Sequence, residues 1–65
     1  MILSIEKIKI AVANKQMNFT EMLKKAHVST VTAGRIRAGK EVNTKTAGKL
    51  AAALGVDVTE LLANE

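Results

Sequence analysis

The stretch Val28-Ser29-Thr30-Val31-Thr32-Ala33-Gly34-Arg35-Ile36-Arg37-Ala38-Gly39-Lys40 decides how this chain folds. By propensity its middle is ambiguous. Two Thr, a Val and a central Gly are poor helix formers, and the Gly alone costs about 1 kcal/mol relative to Ala. On that ground the segment reads as a strand. Its flanks argue otherwise. Ser29 is an N-cap residue whose hydroxyl accepts an N–H that the first helical turn leaves unpaired. Val28 before it and Ala33 four positions after it have the spacing of a hydrophobic staple. Gly39 stands just past the expected end, where a left-handed residue commonly closes a helix. The segment is short and nothing else reads as a partner strand, so a helix over 30–37 is expected.

The same arrangement occurs four more times: Leu3-Ser4 with Ile8, Met17-Asn18 with Met22, Val42-Asn43 with Ala47, and Val56-Asp57 with Leu61. Glu21 and Glu60 stand three residues after Asn18 and Asp57, which completes a capping-box pattern at both. Five capped starts predict helices over 4–14, 19–26, 30–37, 44–54 and 58–63. Apolar periodicity agrees, with Ile5, Ile8 and Val12 in the first, Met22, Leu23 and Ala26 in the second, and Ala47, Leu50, Ala51 and Leu54 in the fourth. Gly55 marks the end of the fourth. The expected fold is an all-α, compact five-helix bundle, one domain over 1–65.

Composition narrows the chemistry. At 65 residues the chain buries only about 60% of the surface it exposes unfolded, so packed helices or oligomerisation must hold a small core. There is no cysteine, hence no disulfide and no thiolate metal site, and the single histidine, His27, has no ligand set at metal spacing. No cofactor or small-molecule ligand is implied. Glu21 and Glu60 read as cap carboxylates rather than a catalytic pair, so no enzymatic activity is expected. Tryptophan and tyrosine are absent and phenylalanine occurs once, which excludes the aromatic platforms of single-strand binders. The apolar start Met1–Ile5 is interrupted by Glu6, Lys7 and Lys9, too soon for a secretory segment. A cytoplasmic protein with no membrane partner is expected.

The formal charge is +4, unevenly placed. Residues 15–49 carry eight bases against Glu21 and Glu41, a local +6, while residues 50–65 carry Asp57, Glu60 and Glu65 with no base, a local −3. A basic middle of this kind points to a polyanionic partner.

The second and third helices, joined by His27-Val28-Ser29, have the form of a helix-turn-helix. The run from Val28 to Lys40 resembles the phage repressor/Cro (Xre-type) family, which often reads "GVSRSTISRIERGK" there. The likeness continues through Lys49-Leu50-Ala51-Ala52-Ala53-Leu54-Gly55-Val56-Asp57-Val58-Thr59-Glu60-Leu61-Leu62, similar to the family's closing "K-L-A-K-A-L-G-V-S-x-x-E-L-L", and spans residues 5–62. The resemblance implies a lambda-repressor-like DNA-binding domain. Several positions depart from it. The usual Gln opening the second helix is Phe19, which removes a polar group and leaves two readings, packing or contact with sugar-phosphate. Leu23 replaces a small residue, while Ala33, its expected partner, replaces a larger one. His27 replaces a turn glycine, and His enters positive φ more readily than most residues. Val12 and Arg37 stand where the family often pairs an Arg with a Glu, so both partners are missing together.

The resemblance implies that the third helix enters the major groove, with Thr30, Val31, Gly34 and Arg35 at the bases. Arg35 suits the O6/N7 edge of guanine, Val31 a thymine methyl, and Gly34 a close backbone approach. Phosphate contacts are expected from Asn18, Ser29, Thr32, Arg37, Lys40, Asn43 and Lys45, some through helix N-termini. The expected partner is a two-fold symmetric duplex DNA site, bound by a homodimer that acts as a transcriptional regulator of the repressor kind. Val58, Leu61 and Leu62 either form the dimer surface or close the core. Two rivals remain: a protein-interaction module on the same scaffold, antitoxin-like or adaptor, and the N-terminal piece of a longer repressor.

Overall fold

Every residue expected to cap a helix does so in the computed structural model, which describes residues 1–63. Ser4, Asn18, Ser29, Asn43 and Asp57 each have extended backbone, and each side chain accepts an N–H from the turn that follows. They open α1 (Ile5–Asn14), α2 (Phe19–Ala26), α3 (Thr30–Arg37), α4 (Thr44–Leu54) and a single 3₁₀ turn (Val58–Leu61). The staples close with them. Ile8, Met22, Ala33, Ala47 and Leu61, the fourth residue of each segment, are all buried. Local capping and core burial are therefore coupled five times along the chain.

The fifth segment departs from expectation. A helix over 58–63 is replaced by the 3₁₀ turn, after which Leu62 is extended and forms an antiparallel bridge with Leu3. The reason is a better set of backbone partners. The Ser4 N–H donates to the Leu61 carbonyl at 2.8 Å, the Ala63 N–H to the Ile2 carbonyl at 3.0 Å, and the Lys7 ammonium to the Leu62 carbonyl at 2.8 Å. A continued helix would forfeit these bonds, and Val58 and Thr59 contribute little propensity to keep it going. Leu61 is 1% exposed and closes the core, while Val58 and Leu62 pack partly against it. Of the three acids at this end, Glu65 lies outside the described residues.

Around that closure α4 is central, packing on α2 and on the 3₁₀ turn, and α1 packs on α2 and on the same turn. The core is wholly apolar among the described residues, with Val12 buried where a charged pair was missing from the sequence. The contribution of α3 to it is Ala33 and Ile36. No helix among the described residues is long and apolar enough to cross a membrane.

Two left-handed residues set the connections without glycine. Gln16 (φ 56°) turns the chain after α1, a feature with no signature in the sequence, and His27 (φ 57°) ends α2 as expected. The His27 N–H returns to α2 carbonyls and the Val28 N–H donates to the Leu23 carbonyl at 3.0 Å. A side chain in this region costs about 1–2 kcal/mol, against roughly 0.5–1 kcal/mol of extra chain entropy lost by glycine. The variant His27→Gly is expected to gain up to about 1 kcal/mol in urea denaturation. No gain, or a loss, would show that the His27 side chain contributes packing of its own.

The acidic end offers a second test. The Asp57 carboxylate accepts the Thr59 N–H at 2.9 Å and its hydroxyl at 2.8 Å. Those bonds hold its pKa below the ordinary 3.8, the backbone bond contributing most. A folded-state pKa that is depressed confers stability fully present above the ordinary value and lost as pH falls through the folded one. The stability advantage of the wild type over Asp57→Asn, which cannot titrate, should therefore shrink on acidification below about pH 4. Parallel stability–pH curves would show that the cap does not depend on charge.

Candidate nucleic-acid interface

Burial on α3 is confined to Ala33 and Ile36, so the remaining residues are disposed around the other sides of the helix. Val31, Gly34, Arg35 and Ala38 are exposed and recur at the spacing of one helical face, opposite the buried pair. Val31 is 75% exposed, the most of any large apolar side chain among the described residues. Thr30 is exposed beside this face, at the rim of a cleft between α2 and α3 that Phe19, Gly34 and Arg37 also line. The helix thus presents one arginine, one aliphatic group and one bare backbone position together.

Gly34 has open space where a side chain would stand: a Cβ placed there meets no atom within 4 Å. Its backbone does not require positive φ either. Packing within the chain therefore gives no reason for glycine at this helical position, where alanine is better by roughly 1 kcal/mol.

Arg35 is fixed at its far end. One guanidinium nitrogen donates to the Glu41 carbonyl at 3.2 Å, and the Lys40 N–H donates to the Arg35 carbonyl at 3.0 Å. Gly39, at φ 75°, lets the chain reverse between them. The loop after α3 is thereby tied to the side chain expected to read bases. A guanidinium has five donors, so the bond to Glu41 leaves others for an external acceptor.

A family model for the Cro/C1-type HTH DNA-binding domain matches residues 7–65. The chain belongs to this family. Comparison with curated proteins and with solved structures gives no match. Membership makes the Cro/C1-type chain a DNA-binding regulator, and its helix-turn-helix is α2, the turn at His27–Ser29, and α3.

Within this Cro/C1-type domain the residues expected at phosphate fall into distinct groups. Ser29 and Thr32 form one: the Ser29 hydroxyl accepts the Thr32 N–H at 3.2 Å and lies 3.1 Å from the Thr32 hydroxyl. Arg37 lies over the Phe19 ring, apart from them. Lys40, Asn43 and Lys45 are all exposed on the loop and first turn that follow α3.

The two asparagine caps differ in electrostatics. At α2 the Asn18 amide oxygen accepts the Glu21 N–H at 2.8 Å, and the Glu21 carboxylate accepts the Asn18 N–H at 2.9 Å. A negative charge already occupies that helix start and opposes a second anion. At α4 the Asn43 amide oxygen accepts the Thr46 N–H at 2.8 Å, no acid sits in the first turn, and Lys45 does. The helix dipole and the lysine add there.

Two contacts escaped sequence reasoning: the bond from Arg35 to Glu41 and the placing of the Arg37 guanidinium over the Phe19 ring. The second had a signal. Phe19 and Arg37 are two departures from the family pattern, and they meet.

Proposed function

We propose that residues 1–65 act as one non-enzymatic, sequence-specific duplex-DNA reader that represses transcription from the cytoplasm, with α3 lying in the major groove. The observation that supports this reading most is the outward face of α3. Arg35, Val31, Gly34 and Thr30 stand together there while Ala33 and Ile36 alone hold the helix to the core. Arg35 pairs with a guanine edge, Val31 with a thymine methyl and Thr30 with a base or phosphate. Gly34 lets the duplex approach the backbone. Ser29, Thr32, Arg37, Lys40, Asn43 and Lys45 take phosphates, with the start of α4 favoured over that of α2, where Glu21 stands beside Asn18.

One helix of this length reads only a few base pairs, so two copies bind a site of two-fold symmetry. Leu61 is buried and unavailable for pairing them. Near the acidic end Ile10 is 62% exposed, beside Val56 and Asn14 in the groove between α1 and the 3₁₀ turn, and Ile2 is 46% exposed. Sedimentation on a selected duplex tests the pairing, and one copy per symmetric site would overturn it.

Selection of duplexes from a random library is expected to enrich one motif. The Arg35→Ala variant should lose discrimination at a guanine by about 1–3 kcal/mol, whereas Lys40→Ala should weaken binding evenly and lower the logarithmic salt slope by about one. No enriched motif, or one unchanged in Arg35→Ala, would count against base reading by α3. A protein-binding module on this scaffold would show no steep salt dependence for duplex DNA.

Gly34→Ala separates fold from function. Without DNA it should stabilise the chain by about 0.5–1 kcal/mol. On the selected duplex it should bind more weakly, because the new methyl stands where the backbone approaches. Undiminished affinity would mean that Gly34 makes no close approach.

A further inference from the structure

Arg37 is expected at a phosphate, but nothing in the sequence indicates what holds it there. Its Cζ lies 4.6 Å from the centroid of the Phe19 ring, so the last residue of α3 is laid against the first residue of α2. Phe19 is half-buried and packs on the core, which fixes the ring from beneath. Ring and guanidinium line one cleft with Thr30 and Gly34, so the charge sits at the edge of the surface that α3 turns outward.

A cation–ring contact of this kind takes up none of the guanidinium N–H donors. Among the described residues the Arg37 side chain makes no hydrogen bond and no ion pair. The nearest acid along α2, Glu21, is engaged with the Asn18 N–H. A planar fork backed by an aromatic ring, with its donors free and no carboxylate to neutralise it, matches the bidentate geometry of a phosphodiester. The ring quadrupole attracts the cation and restricts the long side chain before any ligand arrives.

We infer that Phe19 is a positioning residue that holds Arg37 as a clamp for one backbone phosphate of duplex DNA at the junction of α2 and α3. This rests on the DNA-binding reading above. Phe19 acts through Arg37, and the two departures from the family pattern form one functional unit.

A double-mutant cycle tests it, using fluorescence anisotropy of a selected duplex over a range of salt concentrations, with thermal melts to verify folding. Arg37→Ala should lower the logarithmic salt slope by about one. Phe19→Leu should weaken binding about two- to fivefold when Arg37 is present and have no effect in the Arg37→Ala background. Phe19→Tyr, which keeps the ring face, should restore wild-type affinity, and Phe19→Met serves if the leucine variant melts early. Equal losses from Phe19→Leu with and without Arg37, or no loss at all, would reduce Phe19 to a packing residue and overturn the clamp alone. Absence of salt-dependent duplex binding by the wild type would instead overturn the DNA-binding reading, and the clamp with it.

Discussion

The anchoring of α3 by Ala33 and Ile36 is the constraint on which the rest of the molecule turns. An eight-residue helix containing two Thr, a Val and a Gly does not persist alone in water. It persists here because Ser29 caps its start, Val28 and Ala33 pin the entry, and Ile36 reaches the core at 2% exposure. Confining the buried anchorage to two residues leaves Thr30, Val31, Gly34, Arg35 and Arg37 exposed. Their identities can then be chosen for an external surface, even at a cost in helix propensity.

What was legible in the sequence and what was not divides by distance along the chain. The caps and staples at Ser4, Asn18, Ser29, Asn43 and Asp57 are contests between neighbours three to five residues apart, and all five stand as expected. The starts of four helices follow from them. The end of the chain does not, because the backbone beyond Asp57 chooses between continuing as a helix and pairing with Ile2–Ser4 on the far side of the sequence. Local propensity carries no record of that choice. Gln16 is illegible too, because glutamine carries no preference that marks a left-handed backbone.

The interface follows the same division. That Thr30, Val31, Gly34 and Arg35 share a side of α3 follows from helical spacing once Ala33 and Ile36 are assigned inward. Which charges those residues keep company with depends on contacts between elements. Glu21 is legible as a capping carboxylate, yet its consequence, a helix start already occupied by negative charge, emerges only when it is set beside the acid-free start of α4. Lys45 and Asn43 then become a more favourable place for a phosphate than Asn18. A local charge of +6 favours an anion, and the arrangement of caps makes the start of α4 more favourable to one than the start of α2.

Departures from a family pattern carry more information in pairs than singly. Phe19 alone is a lost polar group, and Arg37 alone is a reversed charge. In contact they replace one arrangement by another, because the ring that displaced a donor supports the guanidinium that supplies donors. The same logic covers Leu23 and Ala33, where both positions stay buried after exchanging volume, and Val12, which leaves no charge stranded in the core. With Val12 apolar and buried and Arg37 charged and exposed, each of the two positions holds a residue suited to its own surroundings.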